Sequence, residues 1–225
     1  MVEGALMRIL SLKRAAVFSL YLVVLLLPSS GSARTTLDEG ATAEKSGDYA
    51  MAFRAYSKAA SLGDARAQSA LGRMYADGRG VARDDAEAVR WYRKAAEQGD
   101  ARGQDHLARM YAVGRGVGKD EAEALRWLRK AAEQGYVSAE AALGVTYETG
   151  TLGVTKNQSE AARWYRKAAE QGNDRAQLAL GTMYYQGRGV QRDFTEAERW
   201  FRKAAEHGNP EARAMLEQTA RESRR

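Results

Sequence analysis

The sequence predicts an all-α fold, a right-handed solenoid of antiparallel helix pairs. Three observations carry that prediction. A block, Trp91-Tyr92-Arg93-Lys94-Ala95-Ala96-Glu97-Gln98-Gly99, recurs as Trp127–Gly135, Trp164–Gly172 and Trp200–Gly208, its tryptophans 36, 37 and 36 residues apart. A second landmark, Met74-Tyr75 followed by Gly78-Arg79-Gly80-Val81, returns at Met110–Val117 and Met183–Val190, and one residue longer at Tyr147–Val154. Within each unit the apolar positions follow the helical period. Fixed self-similarity of this length marks an array in which a single unit cannot bury its apolar face and stacked neighbours can.

The chain opens on an address. Arg8, Lys13 and Arg14 precede an apolar run of 13 residues, Ala15–Leu27, which ends at Pro28 and is followed by Ser29-Ser30-Gly31-Ser32-Ala33. A basic region, a short apolar core and small residues are the parts of a secretory signal peptide. Residues 1–33 are assigned to it, with cleavage after Ala33; Met7 serves as well as Met1 for the start. The alternative, an uncleaved anchor, is disfavoured because the run is shorter than a bilayer span. Export across an inner membrane, most simply into a bacterial periplasm, is the expectation. Removal of the leader leaves 32 basic against 28 acidic residues, a mild +4 with both signs interspersed. That balance suits a solvated surface and offers no nucleic-acid stripe.

Residues 34–63 form a degenerate first repeat with a short Lys45-Ser46-Gly47-Asp48 turn and a partial copy of the block at Tyr56–Gly63. Four full repeats follow at 64–99, 100–135, 136–172 and 173–208. In each, Asp64, Asp100 or Asn173 caps the first helix, Tyr136 standing in the third. Ala67, Ala70, Leu71, Met74 and Tyr75 share one face, and Gly78 stops the helix. The second helix opens on Asp84-x-x-Glu87, Asp120-x-x-Glu123, Asn157-x-x-Glu160 or Asp193-x-x-Glu196, the spacing of a capping box. Its buried face is Ala88, Trp91, Tyr92, Ala95 and Ala96. Small residues at Gly72, Ala108, Gly144 and Gly181 sit level with Tyr92, Leu128, Tyr165 and Phe201, so that small interlocks with large. Residues 209–225 complete the chain as a capping helix and basic tail; Pro210 after Asn209 fits a first helical position.

These landmarks resemble the Sel1-like repeat, a longer-looped relative of the tetratricopeptide repeat. The carrying residues are Leu71-Gly72-x-Met74-Tyr75-x-x-Gly78-x-Gly80-Val81, the Asp84 cap, and Ala88-x-x-Trp91-Tyr92-x-x-Ala95-Ala96-x-x-Gly99. The resemblance implies a non-enzymatic scaffold or adaptor between proteins, here in the cell envelope and monomeric. Cysteine-rich secreted members of the family imply an alternative, a hydrolase-like or β-lactam-binding protein. Zero cysteines and the lack of Ser-x-x-Lys count against it.

Composition excludes further chemistry. Without cysteine there is no disulfide framework, thiolate zinc site or cysteine nucleophile. Two histidines leave little for a metal centre, and neither cofactor nor metal is expected. The Gly-x-Gly loops follow helices, not strands, so they are corners and not phosphate cradles. Arg79, Arg115 and Arg188 within them are expected to be solvated. His207, where other repeats have Gln98, Gln134 and Gln171, reads as a surface variant. An Asp105–His106 dyad is conceivable, but no nucleophile accompanies it.

The resemblance also places the first helices on the concave wall, where a partner segment would lie. Arg66, Arg73, Arg102, Asp105, His106 and Arg109 then line the N-terminal half of a groove. Val145, Leu178, Thr182 and Tyr185 line a more apolar C-terminal half. Arginine presents a planar fork suited to carboxylates, so an acidic protein segment is the expected ligand.

Overall fold

A computed structural model describes residues 30–222. The leader through Ser29 and the last three residues of the basic tail lie outside the described residues. Eleven helices are present among the described residues: α1 (Ser30–Lys45), α2 (Tyr49–Ser61), α3 (Ala65–Asp77), α4 (Asp85–Glu97), α5 (Ala101–Val113), α6 (Glu121–Glu133), α7 (Val137–Thr149), α8 (Gln158–Glu170), α9 (Asp174–Gln186), α10 (Phe194–Glu206) and α11 (Pro210–Glu222). The cleavage point expected after Ala33 falls in the first turn of α1.

Each helix packs on its chain neighbours, which makes the array an α-solenoid of helix pairs. The first helices also touch across repeats, α3 with α5, α7 with α9 and α9 with α11. They form the inner wall. The core is continuous along the stack: Ala88, Tyr92, Leu107, Leu128, Ala139 and Leu143 belong to one buried cluster that crosses three pairs. Large side chains such as Leu71, Met74, Phe201 and Met183 are at most 1% exposed.

The expected caps are in place. Asp64 accepts from the Arg66 and Ala67 amides, Asp84 from Ala86 and Glu87, and Asn173 from Ala176. Tyr136 supplies no side-chain cap, yet α7 starts at the same position. One expectation is corrected. In a capping box Glu87 would return to the Asp84 amide. Instead that amide donates to the carbonyl of Tyr75, and Asp120, Asn157 and Asp193 donate likewise to Tyr111, Tyr147 and Tyr184. The end of each first helix has taken the bond, which frees Glu87, Glu123, Glu160 and Glu196 to pair with Arg90, Arg126, Arg163 and Arg199.

The corner loops are clamps. Gly80 has φ +71, and a Cβ there would lie 2.1 Å from the Tyr49 carbonyl oxygen. Gly116 and Gly189 press in the same way on the start of the second helix of the preceding repeat, at Asp85 and Gln158. The longer third loop loses this contact, and Leu152 there takes φ 54 without being glycine. The loop arginines keep the solvent access expected of them, Arg79 exposed and Arg115 and Arg188 partly so, but each is also engaged by the preceding repeat. Arg115 pairs with Asp85 at 2.7 Å and donates to the Ala76 carbonyl; Arg188 meets Glu148 at 3.4 Å; Arg79 lies over the Tyr49 ring. Each reaches back one repeat. The Arg115 and Arg83 guanidiniums hold the Asp85 carboxyl far below the usual carboxylate range.

The tryptophans are packing residues. Trp127 and Trp200 are buried and donate to Glu123 and Glu196. The ammonium Nζ atoms of Lys94, Lys130, Lys167 and Lys203 lie 4.2, 4.6, 4.1 and 4.6 Å from the ring centres of Trp91, Trp127, Trp164 and Trp200, a cation–π contact repeated in each unit.

Candidate functional groove

The inner wall carries two adjoining depressions of different chemistry. The first, about 590 Å³, is lined by α1, α2, α3 and α5. It brings Arg66, Arg73, Arg102 and His106 together, as their equivalent positions on adjacent first helices require. It also holds residues that the repeat reading did not place there: Asp38, Glu44, Lys45, Tyr49, Tyr56 and Arg79. Five cationic side chains thus face two carboxylates.

The cations are not equivalent. Arg73 is bound by Glu44, Nη1 to Oε1 at 2.6 Å and Nη2 to Oε2 at 2.7 Å. The Tyr56 hydroxyl donates to the same carboxylate at 3.1 Å. Arg73 holds the Glu44 carboxyl below its ordinary value; burial, followed by the charge of Glu44, pushes the Tyr56 phenol up to about 12. Arg66 and Arg102 are exposed and make no ion pair among the described residues. They are the uncommitted positive charges of the wall.

Asp105 is 1% exposed, so it supplies no free surface. Its Oδ2 accepts from Arg109 Nε at 2.9 Å, and its Oδ1 is buried without a partner. His106 stacks on Tyr92 with ring centres 4.8 Å apart and planes 23° from parallel. Burial lowers the His106 pKa, with Asp105 acting in the opposite sense. No hydrogen bond joins the two, so the arrangement is an imidazole stacked on a phenol ring and not an acid–base dyad.

The second depression, about 390 Å³, is lined chiefly by apolar groups: Ala108, Ala112, Leu128, Ala142, Val145 and Leu152, with Arg109 at its edge. Val145 is 49% exposed there. Leu178 and Thr182 line neither depression. Tyr185 is engaged elsewhere: its ring meets Phe194 at 5.5 Å and its hydroxyl donates to Glu222 at 2.6 Å, which ties α9 to α11. The predicted groove residues therefore divide: Arg66, Arg73, Arg102 and His106 line the first depression, Arg109 and Val145 the second, Tyr185 belongs to the C-terminal packing, and Asp105, Leu178 and Thr182 line neither. Glu44 and Tyr56 were missed because α1 and α2 carry a shorter corner than the other pairs. The spacing of Gly40 and Tyr56, matching that of Gly72 and Tyr92 less the shorter corner, was the available signal.

No cluster of three or more His, Cys, Asp or Glu able to hold a metal ion exists among the described residues. No helix among them is long and apolar enough to cross a membrane.

An array of paired helices with glycine-locked corners and an arginine-bearing inner wall defines a repeat scaffold. The Sel1 repeat model matches residues 37–64, 65–100, 101–136, 137–173 and 174–209, and the chain belongs to that family. The first pair is therefore a repeat of the same kind. A protective antigen of uropathogenic Escherichia coli strains, c5321, with an SLR fold, is 46% identical with a TM-score of 0.70, covering 75% of this chain and 36% of that one. A Sel1 repeat protein from Oxalobacter formigenes is 40% identical with a TM-score of 0.72, covering 76% and 49%. The chain thus spans less than half the length of either. The immunity protein Pa5087 from Pseudomonas aeruginosa shares the fold at 23% identity, with a TM-score of 0.56 and coverage of 82% and 69%. A search of curated proteins finds no match. Sel1 repeats generally mediate protein–protein interaction.

Proposed function

We propose that the chain is a non-enzymatic adaptor of the cell envelope that holds an acidic segment of a partner protein against its inner wall. The observation that carries this reading is the pair Arg66 and Arg102. They occupy equivalent positions on α3 and α5, open into one groove, and have no ion pair among the described residues. Arginines held at a fixed spacing with unused donors favour carboxylates through charge-assisted bonds. The apolar depression beside them receives the uncharged part of the same segment. A monomer suffices for this role.

No reaction is part of the reading. Of the two carboxylates that line the groove, Glu44 is committed to Arg73 and Tyr56, and Asp38 is exposed, outside the enclosed pocket that acid–base work needs. The leader, with its basic residues and short apolar run, supports export and a periplasmic site of action.

The test is photo-crosslinking in intact cells from a probe at Ala70, which lines the groove. The expected product is a partner attached through an acidic segment, and the crosslink is lost in the Arg66→Glu, Arg102→Glu variant while helicity and melting hold. An unchanged crosslink in that variant overturns the groove reading. The same protein should appear, shortened, in the osmotic-shock fraction. It should turn over no chromogenic β-lactam; turnover by purified protein would move the assignment to the hydrolase alternative.

A further inference from the structure

The contact between small residue and ring sets a register for comparing repeats. One turn beyond Gly40, Gly72, Ala108, Gly144 and Gly181 stand Glu44, Ala76, Ala112, Glu148 and Tyr185. The second helices bring Tyr56, Tyr92, Leu128, Tyr165 and Phe201 against them. In the first and fourth pairs the ring carries a hydroxyl, and the first helix answers with a carboxylate. Tyr56 donates to Glu44 at 3.1 Å, and Tyr165 to Glu148 at 2.7 Å. An arginine from the next repeat completes each arrangement: Arg73 at 2.6 Å from Glu44, Arg188 at 3.4 Å from Glu148. Where the second helix has Leu128 or Phe201, no hydroxyl needs an acceptor, and the first helix has Ala112 or Tyr185.

The α3–α4 pair breaks this rule. Tyr92 presents its hydroxyl, but Ala76 stands where the carboxylate belongs. The cations are nevertheless there. Arg109 occupies on α5 the position that Arg73 occupies on α3, and Arg115 occupies the loop position of Arg188. Arg115 even donates to the carbonyl of Ala76 itself. Arg109 uses its Nε for Asp105, and Arg115 uses Nε and Nη2 for Asp85 and Ala76. Both Nη groups of Arg109 and the Nη1 of Arg115 make no hydrogen bond among the described residues. The Tyr92 hydroxyl makes none either, and it is not sealed from solvent. Asp77, next to Ala76, is exposed and forms no ion pair there.

We propose that this place is a subsite for a carboxylate of the partner: an aspartate or glutamate side chain that accepts from the Tyr92 hydroxyl and lies between Arg109 and Arg115. The partner would supply in trans the group that Glu44 and Glu148 supply in cis in other repeats. This rests on the acidic-segment reading above and locates one anchor of it. The subsite lies between the cationic groove and the apolar depression, with His106 stacked on the Tyr92 ring on one side and Arg109 at the edge of the other.

The test installs the carboxylate in the chain. Ala76→Glu should raise the melting temperature by recreating the Glu44 arrangement, whereas Ala112→Glu, facing Leu128 and Val145, should lower it. The probe is a fluorescein-labelled peptide of alternating glutamate and alanine, titrated by anisotropy at low salt. Ala76→Glu should weaken its binding about tenfold or more, the worth of one bond to a charged group, and Tyr92→Phe should weaken it in the same direction. If Ala76→Glu destabilises as Ala112→Glu does, the cradle is not there. If it stabilises yet leaves the peptide bound as before, the carboxylate binds elsewhere, and loss only with Arg66→Glu, Arg102→Glu then preserves the broader reading while removing this one. Displacement of the peptide by an equal concentration of succinate would overturn the assignment to a polypeptide side chain.

Discussion

His207 is exposed, yet its effect falls on a buried neighbour. In the other repeats a glutamine ladder runs between helices: Gln98 and Gln134 donate to the Oε1 atoms of Gln68 and Gln104 at 2.7 Å, and these donate onward to the carbonyls of Ala60 and Ala96. Gln177 keeps its bond to the Ala169 carbonyl, but with His207 in place of the next glutamine its buried Oε1 has no partner. His207→Gln should therefore stabilise the protein by about 1 kcal/mol, read as a shift of the urea midpoint without a change of slope. Glu140 is the ladder's other departure. It is 3% exposed and accepts from Gln171 at 2.7 Å, but as a carboxylate it has no amide to give to the preceding helix. Burial raises its pKa above the ordinary 4.5. A raised folded value means that its stabilising contribution is complete below the unfolded pKa and is lost as pH rises through the folded one. Glu140→Gln should thus be most stabilising near neutrality. Its advantage should shrink as pH falls towards the ordinary carboxylate value; an advantage independent of pH would show that the buried charge is not its cause.

At the scale of the helix pair, the decisive fit is between a small residue and a ring. A Cβ on Gly72 would lie 2.7 Å from Tyr92, on Gly144 2.4 Å from Tyr165, and on Gly181 2.7 Å from Phe201. Alanine occurs at this level only at Ala108, where the partner is Leu128 and no ring approaches. The pair is one unit of fit, so the two positions must change together. Leu128→Tyr alone should destabilise by about 1–3 kcal/mol through overpacking. Ala108→Gly in addition should recover part of that loss, with a coupling above roughly 0.5 kcal/mol in a double-mutant cycle. Strict additivity would show that the two do not share a contact. The N-caps are a separate contribution at this scale: Asp84→Ala removes bonds to two amides and should cost about 0.5–2 kcal/mol.

Across the whole molecule, contacts run between sequence neighbours, and stability behaves as a sum over units and their interfaces. Deleting residues 100–135 removes α5 and α6 together and brings Gly99 onto Tyr136, the same corner one repeat later. The product should be soluble and helical with a lower midpoint by circular dichroism. Deleting 100–117 leaves α6 without its partner and removes Gly116, the clamp on Asp85. It should fold far less well. Equal damage from both would contradict the repeat boundaries.

The helices, their N-cap side chains, their glycine corners and the order in which they stack are legible in the sequence, but the partners of the capping-box glutamates are not, because the ends of the first helices take the cap amides. Each legible feature rests on local chemistry: Asp or Asn at a helix start, Gly at its end, an apolar stripe between, all repeated at one spacing. The same spacing marks Arg66, Arg73, Arg102 and Arg109 as equivalent positions on one wall. What each of them does there depends on the folded chain. Arg73 is taken by Glu44, a residue of α1 that lies 29 positions away. Tyr185 is held by Glu222, and Arg115 is drawn back to Ala76 and Asp85. A long charged side chain reaches across repeats, and its partner depends on which residue the neighbouring helix presents at that level. The place beside Tyr92 is of this kind, because Ala76 is an ordinary helical alanine in the sequence and becomes informative only when Tyr92, Arg109 and Arg115 are brought around it.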